Sequence, residues 1–134
     1  MDPQRIAAIR AIFEQAWDAT TAWKAEQWTA ELPSTGQCAV TTLILHSYLG
    51  GTILRTTYNN VPHYLLVLHS GEELDITRDQ FPHDAVRGPS KVVDPHQLSR
   101  STRPRLLILE RRVTPALDAM MHIDRTRLSS QGLE

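Results

Sequence analysis

A chain of 134 residues, 41% hydrophobic and 22% charged, carries apolar material for one core and not for two, and so reads as one ordinary globular domain. A net charge of -1 gives no electrostatic reason to bind nucleic acid or an anionic membrane surface, and no apolar run reaches bilayer-spanning length. The single cysteine excludes an internal disulfide. With no basic-then-apolar signal pattern after Met1, a cytoplasmic location is expected.

Asp2-Pro3 is an N-cap and first-turn pair, and Ile6, Ile9, Phe13, Ala16 and Trp17 follow at three- and four-residue spacing, which predicts a helix to about Asp18. A short second helix is expected over 22–28, placing Trp23 and Trp28 where they can line a substrate entrance. Residues 1–32 therefore read as N-terminal helices, and 33–81 as the core that carries the chemistry. Pro33 to Gly36 is a turn, and a central helix is expected over 37–49. Its apolar residues (Val40, Leu43, Ile44, Leu45, Leu49) cover most of its circumference, as in a helix buried on several sides. Gly50-Gly51 ends it. Strands are expected over 52–58, 63–68 and 72–77, with a short edge strand at Val92-Val93 after a loop rich in Pro and Gly. A closing helix is expected over 98–121, capped by Ser99 or Ser101, with Pro104 in its first turn and Pro115 kinking or ending it. Residues 122–134 are polar and read as a frayed tail. The fold class is α+β: helices, one bearing the cysteine, on a small antiparallel sheet.

Cys38 stands on the first turn of the central helix, where unpaired backbone N–H groups and the positive end of the helix dipole favour thiolate, the reactive form of a thiol. His63 and Asp75 follow on one hairpin, and its loop count decides whether they meet. A two-residue loop at Ser70-Gly71 opposes Asp75 to Leu66 and sends the histidine and the acid to opposite faces. A three-residue loop, His69-Ser70-Gly71, puts Gly71 at the left-handed position of a type I turn with a G1 bulge. Leu68 then faces Glu72 and Leu65 faces Asp75, so Asp75 becomes a diagonal neighbour of His63, about 7–8 Å away between backbones. That register also gathers Tyr64, Leu66, Leu68, Leu74 and Ile76 on the other face, which favours it. The Cys38 helix is then expected over the His63 face, covering Leu65 and Val67.

In such a site His63 takes the thiol proton and later protonates the leaving group, while Asp75 fixes the imidazole's tautomer. The Cys38 backbone N–H and the Gln37 amide are candidates for holding an oxyanion, against a capping role for Gln37. Asp79 is the rival acid, and with Trp28 a candidate substrate contact. The six histidines show no H-x-x-x-H pair, and Cys38 no C-x-x-C partner; Asp75, Asp79 and His83 offer at most a loose cation site. No metal or cofactor is expected, and no phosphate loop or dinucleotide fingerprint occurs.

Pro33-Ser34-Thr35-Gly36-Gln37-Cys38-Ala39-Val40-Thr41, Leu49-Gly50-Gly51-Thr52-Ile53-Leu54, His63-Tyr64 and Leu74-Asp75-Ile76-Thr77-Arg78-Asp79-Gln80-Phe81 resemble the YunG-like family of small bacterial proteins. The stretch from Arg105-Leu106-Leu107 to Arg112-Val113 is similar to that family's closing helix. The resemblance runs over roughly 28–117, and its motif residues fall here on Cys38, His63 and Asp75. Where the family tends to have Trp-Asn after His-Tyr, this chain has Leu65-Leu66. The order Cys, His, Asp is also similar to that of transglutaminase-like and papain-like cysteine enzymes, an analogy of pattern. The leading expectation is cysteine-dependent acyl transfer or hydrolysis of an amide, ester or thioester in a small metabolite or peptide. A non-catalytic binding module on the same scaffold, or a structural subunit of a complex, are the alternatives.

Overall fold

The computed structural model describes residues 1–130, with side chains described through His122. Helix α1 (Pro3–Glu14) begins where the Asp2 carboxylate accepts the Gln4 N–H at 2.9 Å and Pro3 fills the first turn. The helix expected over 22–28 shrinks to a 3₁₀ turn, Ala25–Gln27, in which no residue is buried. Without an apolar face or a side-chain cap, nothing stabilises a longer helix there. Helix α2 (Cys38–Leu49) buries every residue from Cys38 to Leu45. Gly50, at φ +70, closes it by donating its N–H to the His46 carbonyl at 2.9 Å.

Strand β1 (Thr52–Tyr58) turns at Asn59-Asn60, both at positive φ, into β2 (Val61–Val67). This two-residue turn starts β2 two residues ahead of the expected His63. The next loop is His69-Ser70-Gly71. Leu68 donates to the Glu72 carbonyl, Gly71 donates to the Leu68 carbonyl, and Gly71 has φ +89. Leu66 consequently opposes Leu74, and Val67 opposes Glu73, in the three-residue register. Strand β3 (Glu73–Leu74) is much shorter than the expected 72–77. After Leu74 the chain bonds to side chains in place of a ladder and enters a 3₁₀ turn, Arg78–Gln80. Strand β4 (Lys91–Val92) completes a four-stranded antiparallel sheet of order β3-β2-β1-β4.

Helix α3 (Pro95–Ser130) starts earlier than the expected 98 because the Asp94 carboxylate caps it, accepting the His96 N–H at 2.9 Å. This repeats the Asp-Pro start of α1. The helix continues through Pro104 and Pro115, and past 121 where the tail was expected. Its buried stripe (Leu106, Leu109, Val113, Leu117) is long enough to hold the interior prolines against the core. Residues 131–134 of the expected tail lie outside the described residues. Among the described residues no helix is long and apolar enough to cross a membrane.

One core joins Ile9 and Phe13 of α1, Val40, Leu43 and Ile44 of α2, Ile53 and Leu66 of the sheet, and the α3 stripe. Leu74 and Ile76 belong to it as well. The apolar sorting of the hairpin is as the register requires, but α2 covers the other face from the one expected. It packs with Leu66, while Leu65, opposite in parity, is buried outside this core. The reason is amount: Ile53, Leu66, Leu74 and Ile76 offer more apolar surface than the His63 face does.

Two glycines test this geometry. Gly71→Ala places a side chain at positive φ with nothing within 4 Å of the new Cβ, so its cost should be conformational, about 1–2 kcal/mol. Gly51→Ala adds a Cβ 2.3 Å from the Val67 carbonyl at φ +86, and urea unfolding should show the larger loss there.

Candidate active site

His63 has no solvent exposure, so both of its ring nitrogens need partners. Nε2 meets Asp75 Oδ2 at 2.7 Å, and Nδ1 lies 3.4 Å from Gln80 Nε2. The Cys38 thiol lies close enough to the ring to act on its charge. Burial by itself lowers the imidazole's basicity, but Asp75 and then Cys38 outweigh it and raise the pKa to about 9. Tyr58 and Phe81 stand edge-on to the ring, with centroids 5.4 and 5.1 Å away, and fix its plane.

The acid is placed by its loop. Because β3 ends at Leu74, the outer edge of β2 is unpaired from Leu65 back to Val61, and the 75–81 segment lies along it. Asp75 reaches Nε2 from there, and Thr77 Oγ1 donates to its second oxygen at 3.3 Å. Arg10 of α1 clamps the same loop. It donates to the Ile76 carbonyl and grips both oxygens of Asp79, at 2.9 and 3.0 Å. Partial burial pushes the Asp79 carboxyl up, yet Arg10 holds it below its ordinary value.

Cys38, His63 and Asp75 are thus brought together, and the other three candidates are not. Asp79 is Arg10's ion-pair partner, and the carboxylate on His63 is that of Asp75. The Gln37 side chain is fully buried and turns away, donating from Nε2 to the Asp18 carbonyl at 3.0 Å. Trp28 spends its indole N–H on the Pro33 carbonyl at 2.9 Å. Neither Gln37 nor Trp28 lines the cavity at Cys38. Asp75, Asp79 and His83 do border one open groove, but the two carboxylates face His63 and Arg10, so they form no shared cation site.

The cavity onto which Cys38 opens holds about 430 Å³. Gly36, Ala39, Tyr64, Gln80 and Arg105 are in its wall, with Trp23 at the rim. Gln80 is the residue that sequence reasoning passed over. Its Oε1 accepts the Gly36 N–H at 3.2 Å, which fixes the amide so that Nε2 points to the His63–Cys38 end. The signal was present as a second amide five residues after Asp75, but only the fold shows where it points. Leu65 and Leu66 are both fully buried, so neither is in the cavity wall.

The imidazole's raised pKa gives a stability signature. The charged ring's contribution should be fully present below about pH 6.5, the ordinary histidine value, and be lost as pH rises through about 9. Urea-denaturation stability should decline across that window by up to a few kcal/mol, and His63→Gln should flatten the decline. Asp75→Asn should slow iodoacetamide labelling of Cys38 by about tenfold or more, and Asp79→Asn much less, as mass spectrometry of the labelled protein would show.

Residues 5–118 match the family described as "YunG protein". A protein of Bacillus subtilis (strain 168) described as "Uncharacterized protein YunG" is 36% identical over 73 residues, covering 54% of this chain. The aligned stretch spans 60% of that relative's length. No solved structure gives a significant match.

Proposed function

We propose that this chain, which belongs to the YunG protein family, is a cysteine-dependent acyl-transfer enzyme with Cys38 as nucleophile, His63 as acid and base, and Asp75 as its orienting carboxylate. The observation that carries the reading is a wholly buried imidazole bonded at 2.7 Å to a carboxylate and set beside the one thiol, which opens on a cavity. A buried histidine serving only structure has no need of a thiol at a cavity wall. The core is read as papain-like or transglutaminase-like: a cysteine at a helix start against an antiparallel sheet, with the histidine on a strand and the acid following.

In the first step the Cys38 proton passes to Nδ1, since Asp75 keeps the other ring proton on Nε2. The sulfur attacks the carbonyl carbon of an amide, ester or thioester, and the C=O electron pair moves onto oxygen. The orphan N–H groups of the first turn of α2, Cys38 among them, and Gln80 Nε2 are the donors for that oxyanion. Collapse expels the leaving group, which takes the proton from Nδ1 and leaves a Cys38 thioester. Water or an amine then attacks the thioester, with His63 again accepting a proton. Hydrolysis, deamidation and transfer to an amine share this intermediate.

A p-nitrophenyl ester should release a burst of about one nitrophenol per chain and add one acyl group to Cys38, seen by intact mass. Cys38→Ala should abolish both, and Gln80→Ala should lower the acylation rate about 10–10³-fold with little change in melting temperature. An inert Cys38 in the folded protein returns the chain to the non-catalytic binding reading.

A further inference from the structure

The cavity at Cys38 is electrostatically one-sided. Its wall carries Lys24, Arg55 and Arg105 and, among the described residues, no carboxylate. Arg105 is the least expected of the three. It lies half-buried on α3, where desolvation pushes its guanidinium below its ordinary value while Cys38 and Tyr64 pull the other way. Nη1 is shut off from solvent, and no described group accepts a hydrogen bond from it. Several other arginines turn their terminal nitrogens to acceptors of the protein itself, Arg10 to Asp79, Arg78 to the Phe81 and Pro82 carbonyls, Arg87 to Glu73 and Arg112 to Asp18, and Arg10 leaves only its Nε without one. A half-buried cation with a free donor is costly unless an anion arrives to complete it.

We propose that Arg105 anchors a carboxylate of the acyl donor, so that the substrate of the Cys38 site is an amide, ester or thioester carrying a second, anionic carboxyl group. This rests on the reading of Cys38 as nucleophile and names the substrate class for it. One planar guanidinium with a buried donor matches the fork of a carboxylate, whereas a phosphate dianion ordinarily gathers more than one buried cation. Lys24, stacked over Trp23 at 4.4 Å, and Arg55 add positive potential at the cavity wall and favour entry of anions. Val61 and Leu98 give apolar wall for the carbon chain between the two carbonyl groups.

Two alkylating reagents of similar size read this out, because iodoacetate carries the carboxylate and iodoacetamide does not. In each the thiolate displaces iodide and forms one C–S bond. The iodoacetate-to-iodoacetamide rate ratio at Cys38 should exceed that of a free cysteine peptide at least tenfold and saturate with iodoacetate. Arg105→Met should return it to within about twofold of the peptide, and Arg105→Lys should retain part of it. A wild-type ratio equal to the peptide's overturns the proposal. So does an Arg105→Met variant that slows both reagents equally, since Arg105 would then act only on the thiolate. Malonate should protect Cys38 at lower concentration than inorganic phosphate, and the reverse order overturns the carboxylate assignment. If neither reagent labels Cys38, the nucleophile reading falls, and the anchor is decided by melting temperature. Malonate should raise it in the wild type and not in Arg105→Met, and no rise overturns the anchor.

Discussion

An imidazole buried without any exposed surface is the constraint around which this fold is arranged. The ring can be withdrawn from water only if both nitrogens are partnered, and each partner comes from a different part of the chain. Asp75 comes from the end of the hairpin, Gln80 from the 3₁₀ turn after it, and Cys38 from the start of the most buried helix. Several otherwise unrelated features follow. The shortness of β3 frees the chain to turn in beside β2, and Gly71 sets the parity that lets Asp75 look toward the ring. Tyr58 and Phe81 leave the ring one plane in which to lie.

Organisation at the next level keeps the apolar and polar work apart. The face of the sheet rich in Ile53, Leu66, Leu74 and Ile76 is given to α2 and α3, and the His63 face is left to smaller, more polar packing. Thr56, on that face, is buried by donating to the Gly88 carbonyl. Helix α2 contributes its body to the core and only its N-terminus to the cavity. The same helix thus supplies a rigid footing and, at its first turn, unpaired N–H groups.

The central helix, the β1 strand, the three-residue loop and the meeting of His63 with Asp75 were legible because each follows from period, glycine placement or parity over a few residues. The face that α2 covers was not, since it depends on how much apolar surface each side offers once all strands are in place. The start of α3 was written in Asp94-Pro95 as plainly as that of α1 in Asp2-Pro3, but the serines downstream offered a competing cap. The truncation of β3 depends on Arg10, 66 residues before the carbonyl it binds, a contact no local pattern announces. Gln37 illustrates the opposite error. Adjacency to Cys38 in sequence says little about direction, and its amide turns to the Asp18 carbonyl, while an amide 42 residues beyond the cysteine is in the cavity wall.

The Arg10 clamp makes assembly of the acid loop contingent on a helix that is otherwise lightly attached. Among the described residues α1 gives the core only Ile9 and Phe13 as fully buried side chains, and its own ends are stabilised locally. A peripheral helix of this kind undocks in sub-global openings whose free energy lies below that of complete unfolding. Each such opening removes the guanidinium from Ile76 and Asp79, and Asp75 loses the segment that aims it while the sheet and α2 stay folded. The docking of α1 is therefore coupled to how His63 is held, so a helix at the margin of the domain bears on one of its most enclosed contacts.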